Sequence, residues 1–133
     1  MLAGPAQTPW FGTWKLKTNS DRYKSVTSKI EPSDDGLKVT YDMVGTRGGI
    51  THMEWTGKFD GRDYPVQGVD YVLTNAYSLL NALSYQIVVK VDGAAAATAT
   101  VTISPDGKTL TTITAEKNAR GQTINTTAVY DRQ

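Results

Sequence analysis

The chain has 133 residues, 39% of them apolar and 20% charged, with 14 basic side chains against 13 acidic ones and no cysteine. That is the size and balance of one folded domain, which excludes a two-domain organisation and a disordered tail. The near-neutral charge, with no run of Lys or Arg, excludes a polyanion-binding stripe and hence nucleic acid as a partner; the missing cysteines remove disulfides, thiolate nucleophiles and zinc-thiolate sites.

Residues 1–9, MLAGPAQTP, read as a flexible leader ahead of a single domain over 10–133. The leader lacks the charged start and long apolar middle of a signal peptide. Its small residues from Ala3 to Ala6, followed by Gln7, resemble the flank of an export cleavage site, which leans towards an extracytoplasmic protein whose signal has been removed. An ordinary cytosolic N-terminus fits the same stretch equally well. No apolar run approaches the roughly 20 residues of a membrane-spanning helix.

From FGTWKLK onwards the punctuation is regular. Asp-Gly occurs at Asp35-Gly36, Asp60-Gly61, Asp92-Gly93 and Asp106-Gly107, and Gly48-Gly49 and Arg120-Gly121 add further turn signals. Asp-Gly supplies the positive φ angles of tight hairpins. The runs between are rich in Thr, Val, Ile and Tyr, which suit a pleated, half-buried surface. The spacing predicts strands over 11–18, 23–31, 36–44, 50–60, 63–67, 70–80, 84–92, 95–104, 108–117 and 122–131. No segment holds a sustained helical period, and the stretch from Tyr77 to Leu83 reads as a hairpin corner.

Alternation assigns the faces. Leu37, Val39, Tyr41 and Met43 oppose Lys38, Thr40 and Asp42; Met53, Trp55 and Phe59 oppose His52, Glu54 and Lys58; Ala97, Ala99, Val101 and Ile103 oppose Thr98, Thr100 and Thr102. Successive side chains of a strand point to opposite sides of its sheet, so one face is dry and one is wet. A meander of this kind leaves two edges exposed unless it closes on itself. The expected fold is therefore all-β, a single antiparallel up-and-down barrel of about 8–10 strands. Its interior is either filled by side chains or just wide enough for one small ligand.

Phe11-Gly12-Thr13-Trp14 at the entry to the first strand resembles the Gly-x-Trp signature of the lipocalins, whose Trp packs across the closed end of the barrel. The resemblance implies that Arg132, in the closing AVYDRQ, lies over Trp14. Over most of the domain the chain is similar to a group of small bacterial lipocalin-like proteins, mostly exported, through FGTWKL, EWTGKFDGRDYPV, SPDGKTLT and GQTINTTAVYDRQ. The stretches NAYSLLNALSYQ and GAAAATAT are more apolar than the charged hairpins of that group.

Among chemistry-bearing residues, His52 is the only histidine and the natural candidate for proton transfer near neutral pH, with Glu54 two residues on and on the same face. That face also carries Lys58 and reads as the solvent side, unless the interior is polar. The aspartates sit at turns, where they bond their own backbone, and no ligand set for a metal, phosphate loop, nucleophile elbow or dinucleotide fingerprint is present, so no metal or cofactor is expected.

Tyrosines outnumber phenylalanines seven to two, and such rings grip a ligand with the body and orient it with the hydroxyl. Tyr41, Trp55, Tyr71 and Tyr85 are the expected wall, with Met43 and Met53 as adaptable packing. Leu79, Leu80 and Leu83 crowd a hairpin tip that must be covered by the barrel mouth, a bound molecule or a second copy; Leu79 and Leu83 are the expected gate of the opening. Three functions stay open. The first is binding of a small, largely apolar aromatic, terpenoid or lipid-like molecule in the interior. The second is a cofactor-independent isomerase, cyclase or lyase using His52 and Glu54. The third is an interaction module joined through the apolar corner, as in a homodimer.

Overall fold

A computed structural model describes residues 9–17 and 23–133. Most of the leader, residues 1–8, and the end of the first expected strand at Thr18 lie outside the described residues. Ten antiparallel strands close into one barrel, and no helix occurs among the described residues. In chain order they are β1 (Gly12–Leu16), β2 (Tyr23–Ser33), β3 (Gly36–Gly45), β4 (Ile50–Gly57), β5 (Tyr64–Gln67), β6 (Leu73–Asn81), β7 (Ser84–Val91), β8 (Ala94–Ile103), β9 (Thr109–Lys117) and β10 (Thr123–Arg132). Each strand pairs with its neighbours in sequence, and β1 closes the ring on β10 through Trp14↔Arg132, Lys15↔Asp131 and Leu16↔Tyr130. Closure removes the two free edge strands that an open meander would have.

The hairpins form where turn chemistry allows. Asp92 and Gly93 both take positive φ between β7 and β8, as a tight Asp-Gly hairpin requires. The first Asp-Gly pair behaves differently. Its turn centres one residue earlier, on Asp34 and Asp35, with Asp34 at φ 51°, and Gly36 already belongs to β3. There a side chain would collide with the backbone carbonyl of Gly57 on the adjacent strand, so Gly36 serves close approach and not the turn.

Because the connections alternate ends, the links β2–β3, β4–β5, β6–β7 and β8–β9 share one end with the start of β1 and the finish of β10, and the remaining links lie at the other. The first end is plugged. Trp14 is fully buried and donates from Nε1 to Trp10 O at 2.9 Å. Trp10, Phe59, Tyr85, Tyr77 and Trp55 follow as a chain of ring contacts, with Trp55 stacked on Tyr77 at 4.0 Å between centroids. Leu37, Ile103 and Leu110 fill the remaining gaps.

Arg132 closes this plug from outside, 4.2 Å from the Trp14 ring. Its guanidinium donates to Gly107 O at 2.6 Å, Phe11 O at 2.7 Å and Pro9 O, tying β10 to the β8–β9 turn and to the entry of β1. Any side chain at Gly12 would strike Arg132 Nη1, and Gly12 itself has φ 143°, a value glycine alone adopts comfortably. Gly12, Trp14 and Arg132 are thus one steric unit.

Candidate functional site

The end away from the plug opens into a cavity of about 720 Å³. The inward positions that face it change character around the ring. On β2, β3 and β4 they are Val26, Ile30, Met43 and Met53, with Tyr41 between; on β7 and β8 they are Ile87, Val89, Ala99 and Val101 above Tyr85. On β9 and β10 they are smaller and more polar, Thr112, Thr114 and Thr126 with Ala128, ending in Tyr130 below and Glu116 at the mouth. The small Thr and Ala side chains of this last wall leave the volume that bulky residues would have filled.

Four phenols gather where cavity and plug meet. Tyr41, Tyr85 and Tyr130 line the cavity and Tyr77 lies behind them in the aromatic stack. Burial pushes the Tyr77 and Tyr85 hydroxyls well above the ordinary tyrosine value, and the Tyr41 phenol adds to both shifts. Burial, then Tyr41, also pushes Tyr130 up to about 12. Tyr41 is itself raised by burial, with the Tyr77 hydroxyl acting in the opposite direction. The approach of Tyr41 to Tyr77 falls short of an aligned hydrogen bond, and Tyr77 Oη is buried without a partner. All four rings therefore stay neutral at physiological pH.

Asn75, the middle inward residue of β6, also lines the cavity, and its side-chain oxygen is buried with no hydrogen-bond partner. Its backbone carbonyl is fully engaged, accepting Trp55 Nε1 at 3.0 Å. Sequence reasoning missed Asn75 although it falls within the strand expected over 70–80, where parity with Leu73 and Tyr77 places it inward.

Of the expected wall, the structure brings Tyr41, Met43, Met53 and Tyr85 together around the cavity. Trp55 is inward but deeper, part of the plug, its indole held by the carbonyls of Tyr64 and Asn75. Tyr71 is 49% exposed in the β5–β6 connection. Leu79 and Leu83 flank the β6–β7 turn at the plugged end, so the expectation that they gate the opening is corrected: the parity of hairpin connections carries that corner to the opposite end. The apolar residues exposed at the open end are instead Ile50, Tyr71, Val72 and Ile124.

His52 and Glu54 lie on the outer surface. The His52 ring is held between Asp42 Oδ1, 2.6 Å from Nδ1, and Glu54 Oε2, 2.9 Å from Nε2, and Glu54 also meets Lys38 Nζ at 3.2 Å. Hydrogen bonding to Asp42, then to Glu54, raises the His52 pKa above its ordinary value, and bonding to His52, then Lys38, lowers that of Glu54. This is an exposed ion-pair chain across β3 and β4, on the outer face and away from the lining of the barrel cavity. Among the described residues no cluster of three or more His, Asp or Glu side chains is placed to hold a metal ion, and no helix is long and apolar enough to cross a membrane.

Ten antiparallel strands in sequence order, a plugged floor and an open cavity define the class of closed up-and-down barrels, consistent with a lipocalin-like fold. In comparison with known proteins, the chain matches no protein-family model and no curated protein.

Proposed function

We propose that the protein binds one small, largely apolar molecule, aromatic, terpenoid or lipid-like, inside the barrel, in the manner of the lipocalins. The observation that carries this reading is the cavity of about 720 Å³, open at one end and walled mainly by aliphatic side chains and tyrosine rings. Its size falls within the roughly 300–1,000 Å³ of ordinary ligand sites. The Gly12, Trp14 and Arg132 unit supports kinship with the bacterial lipocalin-like group, since it lays Arg132 of the last strand over Trp14 of the first, the arrangement which that resemblance implies.

The catalytic alternative has less support. His52 and Glu54 face solvent, and the cavity phenols are held protonated by burial, which makes them poor bases near neutral pH. Self-association has one observation in its favour, the exposure of adjacent Leu79 and Leu80 at the plugged end.

All three tryptophans belong to the plug and none lines the cavity, so their quenching reports binding only indirectly. The direct test is titration with N-phenyl-1-naphthylamine, whose fluorescence rises in apolar surroundings, beside native mass spectrometry. Saturable enhancement at one dye per chain is expected, and it is lost when Ala99→Trp or Thr112→Trp fills the cavity. A dye signal that survives both substitutions, or a dimer that binds nothing, overturns the reading.

A further inference from the structure

We propose that the cavity selects a neutral amphiphile whose polar end is a hydroxyl, docked at Asn75 and the Tyr41, Tyr85 and Tyr130 phenols, and that it rejects carboxylates. This rests on the binding function proposed above and specifies the ligand's polar group.

The charge inventory of the cavity comes first. Among the described residues, no Lys, Arg or His lines it, and its one ionised side chain is Glu116 at the mouth. The described cations at the open end, Lys17, Lys24, Arg47, Lys117 and Arg120, do not line it either, and Arg47 lines a separate depression of the β3–β4 hairpin. A carboxylate taken inside would lose its hydration with no cation to meet it, a cost of several kcal/mol per ion. It would also have to pass Glu116.

The polar inventory is the second, independent observation. Asn75 Oδ1 is an acceptor with no donor, and leaving such a group buried costs about 1–3 kcal/mol. The hydroxyls of Tyr41, Tyr85 and Tyr130, which line the same cavity, both donate and accept. A ligand hydroxyl answers both needs at once, donating to Asn75 Oδ1 while accepting from a phenol. An ether, ketone or aldehyde accepts only, and leaves the asparagine oxygen unsatisfied. A carboxylate likewise cannot donate and brings an unpaired charge. The order of preference is therefore alcohol, then neutral acceptor, then carboxylate, for apolar bodies of equal length.

The experiment is displacement of N-phenyl-1-naphthylamine from the unmodified protein by a matched set, 1-decanol, decyl methyl ether and decanoate, at about pH 8 where the acid is ionised. Decanol is expected to displace the dye at about tenfold lower concentration than the ether, and decanoate to be weaker again. Asn75→Leu should bring the alcohol and the ether level while dye binding persists, and Glu116→Gln should improve decanoate and leave decanol unchanged. If decanoate competes as well as decanol, or the ether matches the alcohol in the unmodified protein, the inference falls and the binding function stands. If the dye itself does not bind saturably, the binding function falls first and takes this inference with it.

Discussion

Arg132 illustrates how one side chain near the end of the chain organises the start of it. Three backbone carbonyls and one indole face accept its guanidinium, and each charge-assisted bond is stronger than a neutral one. Arg132→Met should therefore destabilise the fold by about 2–4 kcal/mol in urea titrations. Arg132→Lys should recover little, because an ammonium on a flexible stem does not span three carbonyls. A loss within the ordinary scatter of surface substitutions would show that Trp14 holds its place unaided.

His52 carries a prediction of a different kind. Its folded pKa lies above the ordinary 6.5, so its contribution is complete at lower pH and is lost as pH rises through the raised value. Glu54 has a lowered pKa, so its contribution is present above 4.5 and is lost on acidification through the lowered value. The stabilisation from this chain is thus greatest between the two. The melting-temperature difference between the wild type and His52→Gln should shrink as pH is raised from about 6 to 8.5. A constant difference would mean that the ring packs without titrating. The Asp42 partner was not legible in the sequence: it lies ten residues away, and only the pairing Asp42↔His52 across the hairpin reveals it.

Among the strands, β5 is the least secured. It pairs with β4 only through Glu54↔Gln67 and Trp55↔Val66, and with β6 only through Tyr64↔Asn75 and Pro65↔Thr74. Pro65 also has no N–H to contribute. What reinforces the seam is the Trp55 indole, which reaches beneath β5 to the carbonyls of Tyr64 and Asn75. In hydrogen exchange, amides of 64–67 should open well before those of β2 and β3. Trp55→Phe should accelerate exchange along 64–67 and 73–77 selectively; uniform acceleration throughout the barrel would assign Trp55 to general packing instead. The existence of β5 was readable from the Val-containing run between turn signals, whereas its weakness was not, because pairing partners are a property of the ring and not of the segment. The Asp34-Asp35 turn shows the same limit. Asp35-Gly36 has the right composition, yet the close approach of Gly57 decides that Gly36 belongs to the strand.

At the scale of the whole barrel, alternation and hairpin spacing were enough to predict closure, but not depth. Tyr41 and Trp55 share an inward face and differ in their height along the axis, which makes one a cavity wall and the other part of the plug. The hollow itself follows from the small inward residues of β9 and β10, a signal present in the sequence and overlooked because the aromatic residues drew the reading. Since a cavity ligand binds only the folded chain, saturation at about 100 times the dissociation constant should add about 2.7 kcal/mol and raise the melting temperature by about 10 °C. No shift for decanol, at concentrations that displace the dye, would place the dye outside the barrel.

The last residue, Gln133, donates its backbone N–H to Thr13 O, so the C-terminus lies against the start of β1, beside the plug. Anything attached there emerges from the side opposite the opening. Immobilised on a sensor surface through a C-terminal tag, every molecule would hold its mouth towards the flowing solution, and a reporter fused at that end would leave ligand entry unobstructed.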